Sequence, residues 1–166
     1  FTAEEIVMTG RTPYQGRFEG TSIGDKEAVY RAFSLTKADK LKDKKFAILS
    51  GGEKQKIVIA RAVAQTTPWM LLDEPIASLD IKNQIEIMQT LSELNRQEGV
   101  SVLMVLHDIN LAGIYCDRLI MLKDGQVIAA GNTNECLCEE NLKKLYDISF
   151  FHMDTKKGQR YYYAEI

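Results

Sequence analysis

The stretch from Trp69 to Leu106 restricts what this chain can fold into more than any other part of it. Four apolar residues, Trp69-Met70-Leu71-Leu72, are followed by a helical pattern from about Ile81 to Glu98 and then a second apolar run, Val100 to Leu106. Ile81, Ile85, Met88, Leu91 and Leu94, spaced by four and three residues, trace one apolar stripe, and Gly99 stands where such a helix stops. A strand, an amphipathic helix and a strand in that order form a right-handed crossover, which makes the two strands parallel neighbours in one sheet. The expected fold class is therefore α/β, with a mostly parallel sheet.

The pattern changes near Thr66-Thr67-Pro68. Residues 1–66 read as mostly helical, with segments Ala3 to Met8, Asp25 to Leu35 and Glu53 to Ala64 joined by the Gly-rich stretch Thr12 to Gly24 and the Lys-rich stretch Lys37 to Lys45. Within residues 67–166, after the crossover, Arg118 to Leu122 and Gln126 to Ala130 flank a Lys123-Asp124-Gly125 turn and read as a hairpin. A short helix, Glu139 to Tyr146, and a last hairpin, Phe150 to Met153 with Arg160 to Ala164, complete the expectation.

Composition narrows the class. At 45% hydrophobic and 27% charged, the 166 residues can bury a core, and disordered and low-complexity classes drop out. The apolar runs fall far short of the roughly 18 residues of a membrane span. With 21 basic and 23 acidic residues the formal charge is −2, which gives no support for nucleic-acid binding. Cys116, Cys136 and Cys138 are odd in number and include a C-x-C pair, so reduced thiols are expected. Phe1-Thr2-Ala3-Glu4-Glu5 is not a secretory leader and reads as a start in mid-protein.

Three places carry residues suited to chemistry. Asp73 and Glu74 follow the first apolar run, at the carboxyl end of a strand, where open α/β sheets place their sites. One carboxylate there can position Mg²⁺ through water and the other can polarise an attacking water, although an exposed acid pair in a strand-to-loop junction is also common. Leu49-Ser50-Gly51-Gly52-Glu53 precedes a helix: Ser50 can cap it, and Gly51 and Gly52 leave backbone amides open to an anion at the positive end of the helix dipole. An ordinary N-cap behind a flexible turn explains the same residues. His107 follows the second apolar run, with Asp108 suited to cap the next helix, and a lone imidazole there also reads as a satisfied polar group. Asp80 is first a cap for the long helix. His152 has no comparable context.

A G-x-x-x-x-G-K-[ST] phosphate loop would be expected beside such a site. Gly20-Thr21-Ser22-Ile23-Gly24-Asp25-Lys26 has three residues between its glycines and Asp25 where Lys is required, so it is not one.

Taken together the motifs resemble the C-terminal portion of an ATP-binding-cassette (ABC) transporter ATPase, a P-loop NTPase-like fold with an α-helical signature subdomain. Leu49 to Glu53 is similar to the LSGGQ signature, Leu71 to Pro75 to the Walker B strand with its catalytic Glu, Ser78-Leu79-Asp80 to the D-loop, and His107 to the switch histidine. The resemblance implies residues 1–66 as the signature subdomain and 67–166 as part of the ATPase core. It implies ATP and Mg²⁺ as ligands and a head-to-tail homodimer in which Ser50, Gly51 and Gly52, with Glu53 beside them, meet the γ-phosphate in trans. Asp73 would hold Mg²⁺ through water, Glu74 would polarise the attacking water, His107 would contact the γ-phosphate, and Asp80 would lie across the dimer interface.

Glu53 stands where the signature usually has Gln, Ile76 where Thr is frequent, and the P-loop and glutamine loop are missing from these residues, so the 166-residue chain alone is expected to be inactive. Met8-Thr9-Gly10-Arg11-Thr12-Pro13-Tyr14 and Val105-Leu106-His107-Asp108-Ile109-Asn110 resemble the subfamily that imports ferric siderophores, haem and cobalamin. That implies transmembrane permease partners, a substrate-binding protein acting indirectly, and a peripheral position on the cytoplasmic side of the membrane. Tyr14 and Phe18 are the expected permease contacts. A DNA-repair or chromosome-maintenance ATPase head, whose signature also reads LSGGE, is the alternative; Asp73-Glu74-Pro75 and the absence of heptads favour transport.

Overall fold

The computed structural model describes residues 1–16, 20–156 and 158–165. The chain divides into two compact units, residues 1–105 and 106–166.

In the first unit, α1 (Ala3–Met8), α2 (Ile23–Leu35) and α3 (Gly51–Ala64) each begin with a reciprocal capping box, built on Thr2 with Glu5, Ser22 with Asp25, and Ser50 with Glu53. Each box satisfies backbone amides that the first helical turn leaves without partners. Residues 9–14 form a 3₁₀ turn directly after α1. The three helices close over a core that includes Val7, Val29, Phe33, Leu49, Ile57 and Ala60. Two of them start earlier than the apolar pattern suggests: α2 at Ile23, and α3 at Gly51, so both signature glycines are helical.

The crossover forms as expected. β1 (Trp69–Leu72) pairs in parallel with β2 (Ser101–Met104), Leu71 opposite Leu103, and α4 (Ile81–Glu98) connects them. Asp80 caps α4, and Gly99 ends it in the left-handed conformation at φ 68°. The apolar stripe of α4 is rotated from its expected line. Ile87, Met88, Leu91 and Leu94 are buried, whereas Ile81 is 74% exposed and Ile85 lies at the surface. Each three-residue step falls about 60° short of a full turn, so a stripe read mostly in threes drifts around the helix, and the buried face follows its later residues. One sheet face, carrying Trp69, Leu71 and Leu103, is exposed.

The second unit holds α5 (Ile109–Tyr115), the hairpin β3 (Arg118–Lys123) and β4 (Gln126–Asn132), the single turn α6 (Thr133–Cys136), α7 (Glu139–Tyr146) and the hairpin β5 (Phe150–Asp154) and β6 (Arg160–Ala164). Both hairpins are antiparallel, the first turning through Asp124 and Gly125 at positive φ. Of the three strand pairs among the described residues, one is parallel, so the parallel character is confined to the crossover. The loop of the second hairpin includes residue 157, outside the described residues. Met121, Leu137, Leu142 and Tyr162 form the core here. Cys116, Cys136 and Cys138 are free thiols.

Candidate functional site

Ser50 stands at the head of α3 with its hydroxyl accepting from the Glu53 amide at 3.3 Å, while the Glu53 carboxylate accepts from the Ser50 amide at 2.9 Å. The Ser50 amide, and after it the Ser50 hydroxyl, hold the Glu53 carboxyl below its usual range, and Lys44 at 3.4 Å adds to the effect. Glu53 thus closes the cap as Gln would, which is why Glu is accommodated in the signature. Ser50 and Gly51 are exposed and Gly52 is buried, so the first turn is open to solvent on one side. A capped helix start with exposed backbone at Ser50 and Gly51 suits an anion.

The buried side of that turn meets the next element. A β-carbon on Gly51 would rest in ordinary contact with Leu79, 3.7 Å away, and one on Gly52 would overlap the carboxamide of Asn83. Asn83 cannot readily yield: its backbone amide donates to Asp80 Oδ1 at 2.8 Å and its side-chain amide to Oδ2 at 2.7 Å. The same two bonds depress the Asp80 carboxyl below its ordinary value. Lys56 of α3 and Glu86 of α4, 2.6 Å apart, pin the helices a turn further on. Asp80 therefore caps, as its position suggested, and through Asn83 also braces the signature turn. Asn83 escaped the sequence reading because a polar residue in a first helical turn looks like surface; the Asp-x-x-Asn spacing was its one sign.

Asp73 and Glu74 follow β1 and are exposed, with Pro75 buried behind them. Glu74 has φ 45° and Ser78 φ 60°, both left-handed, and the loop is closed by the Ala77 amide donating to the Glu74 carbonyl at 3.1 Å. For a residue with a β-carbon that conformation costs about 1–2 kcal/mol. It turns the backbone abruptly at the sheet edge, and a strained residue at such an edge is a frequent mark of function.

Among the described residues no group of three or more His, Cys, Asp or Glu forms a metal cage. Asp73 nevertheless suits Mg²⁺. That ion keeps most of its waters and takes one or two carboxylates together with substrate phosphates, and Asp73 is an exposed acid at a strand end.

His107, in the second unit, is exposed on the bend before α5. Asp108 caps α5 by accepting from the amides of Asn110 and Leu111 at 2.8 and 2.9 Å. The Asn110 side chain exchanges two hydrogen bonds with the backbone of Tyr162, at 3.0 and 2.7 Å, so α5 is fastened to β6 directly after His107. His152 pairs with Glu139 at 2.7 Å, a surface contact.

The sequence profile of the family described as ABC transporter matches residues 3–77. The ferric enterobactin transport ATP-binding protein FepC of Escherichia coli K12 is 40% identical over 153 residues, 92% of this chain and 56% of FepC. The cobalamin import ATP-binding protein BtuD of Halobacterium salinarum is 38% identical over 147 residues, 89% of this chain and 36% of that protein. The chain thus spans about half the length of the first relative and about a third of the second. Among solved structures, a metal-chelate-type ABC transporter in an inward-facing conformation superposes with TM-score 0.94 at 26% identity, covering 100% of this chain and 68% of its own. A dimeric bacterial ABC transporter cassette superposes with TM-score 0.66 at 33% identity, covering 80% and 57%. None of these relatives supports the DNA-repair alternative.

Proposed function

The chain belongs to the ABC transporter ATPase family, and from that premise we propose that it is part of the ATP-binding and ATP-hydrolysing subunit of an importer. The observation that carries this reading is the open, capped start of α3 at Ser50-Gly51-Gly52, braced through Asn83 by Asp80.

In this reading two subunits meet head to tail. Ser50, Gly51 and Gly52 of one bind the γ-phosphate of a nucleotide held by the other, the helix dipole and backbone amides opposing its charge. Asp80 lies at the interface between subunits, and Glu53 serves by holding Ser50 in place. Asp73 holds Mg²⁺ through water; when bound, the ion neutralises phosphate charge. Glu74 polarises the attacking water and accepts its proton, and His107 steadies the γ-phosphate as it transfers. Residues 1–66 act as the signature subdomain and 67–166 as part of the ATPase core.

The names of the relatives support a ferric siderophore or cobalamin as cargo, and haem stands beside them only through the resemblance of the Met8–Tyr14 and Val105–Asn110 segments. Permease subunits would then be the membrane partners, with a substrate-binding protein acting through them, at the cytoplasmic face. No helix among the described residues is long and apolar enough to cross a membrane itself. Tyr14, half exposed, is the permease contact available in the described residues; Phe18, its expected companion, lies outside them. No P-loop pattern occurs in the 166 residues, and we expect them alone to leave ATP unhydrolysed. The test is steady-state hydrolysis of Mg-ATP by the complete subunit and its Glu74→Gln variant. Retained nucleotide binding with turnover reduced by about 10²- to 10⁴-fold supports the reading, and parental turnover removes Glu74 as the base.

A further inference from the structure

The Gly10-Arg11-Thr12-Pro13-Tyr14 segment sits at the opposite end of α3 from the signature turn. Gly10 is buried, and a β-carbon there would overlap the Arg61 carbonyl in the last turn of the helix, so only glycine permits the approach. Arg11, whose side chain is 11% exposed, then distributes its guanidinium among several partners. Nη1 donates to the Ala64 carbonyl at 2.8 Å and to the Thr66 hydroxyl at 3.1 Å, and Nε donates to Asp25 Oδ1 at 2.9 Å. The cation lies over the Tyr14 ring, 4.0 Å from its centroid, and the Tyr14 hydroxyl donates to the Gln65 carbonyl at 2.6 Å.

Two carbonyls at the carboxyl end of α3, which the helix itself leaves unpaired, are therefore taken by Arg11 and Tyr14. A cation placed there also complements the helix dipole. Asp25 is no passive partner: its other oxygen accepts from the backbone and hydroxyl of Ser22 at the head of α2. One guanidinium thus joins the tail of α3, the head of α2 and the Tyr14 ring. Lysine cannot substitute, because a single ammonium lacks the planar fork that reaches these acceptors together.

A helix of this length is a stiff rod of about 21 Å, so a small change of angle where it is clasped displaces its far end. We propose that Arg11 and Tyr14 are positioning residues for the phosphate-facing turn: by fixing the carboxyl end of α3 they set the direction in which Ser50, Gly51 and Gly52 are presented. This rests on the reading of that turn as a γ-phosphate site. Neither residue touches the nucleotide, and their effect passes through the helix.

The experiment uses the complete subunit with Tyr14→Phe, Arg11→Lys and Arg11→Ala. Melting temperature, equilibrium binding of Mg-ATP at protein concentrations too low for dimerisation, and kcat are measured for each. Tyr14→Phe removes a single hydroxyl and keeps the ring, so it remains informative if an Arg11 variant fails to fold. The expected result is a kcat lowered by about tenfold in Tyr14→Phe and further in Arg11→Ala, with binding to the undimerised subunit unchanged. Arg11→Lys should fall between Arg11→Ala and the parent. A parental kcat in folded Tyr14→Phe and Arg11→Lys, whatever their melting temperatures, overturns the proposal, as does an equal loss of nucleotide binding in the undimerised subunit. A parent subunit that hydrolyses no ATP defeats the functional reading itself, an outcome visible before any variant is made.

Discussion

The carboxamide of Asn83 occupies the space that a β-carbon on Gly52 would need. The second signature glycine is therefore required by the fold of its own chain, apart from any demand that a phosphate makes on the first. Gly52→Ala should destabilise the protein by about 1–3 kcal/mol through overpacking. Adding Asn83→Ala should return most of that loss, and denaturant unfolding of the two variants and their combination measures the coupling. Additive effects would place the constraint on Gly52 elsewhere.

Ser50 has two tasks that substitution separates. Ser50→Ala removes the acceptor for the Glu53 amide and should cost about 1 kcal/mol of stability. Ser50→Asp should retain the cap while placing a negative charge where the γ-phosphate is proposed to sit. Unfolding midpoints close to the parent, together with lost turnover in the complete subunit, are expected for Ser50→Asp.

His107→Ala in the complete subunit should cripple turnover, and the α5 cap made by Asp108 and the tie to β6 made by Asn110 remain in place in that variant. Asn110→Ala should lower stability first. Steady-state kinetics and thermal unfolding distinguish the two.

The Arg11 guanidinium and the Ser22 hydroxyl and amide hold the Asp25 carboxyl at about 2, against an ordinary value of 3.8. The folded value is the lower one, so protonation favours the unfolded chain. The contribution of Asp25 to stability is whole above pH 3.8 and is lost as the pH falls through about 2. Stability measured from pH 5 downward should decline less steeply in Asp25→Asn than in the parent, with the difference concentrated in that interval.

Much of this was legible in the sequence because local chemistry and long-range packing agreed. Asp80 and Gly99 bracket α4 at the residues where it begins and ends, and the Asp124-Gly125 turn announces its hairpin. The signature-like turn, the acid pair and His107 are proposed as site residues from their order along the chain. What escaped depends on contacts between elements. Asn83 matters through Gly52, thirty-one residues earlier in the chain, and no local pattern reports that. The Gly10–Tyr14 segment carried only a resemblance until its partners, Asp25 and the end of α3, were found around it. The line of burial along α4 was misplaced at its start because three-residue spacing does not keep to one face.

The left-handed backbone at Glu74 also bears on what substitution there would do. A glycine at that position would relieve the strain and remove the carboxylate in the same step. In the complete subunit Glu74→Gly should therefore lose ATP turnover, because it removes the group proposed as the base, and steady-state kinetics checks this. At this residue backbone comfort and the proposed chemistry pull in opposite directions.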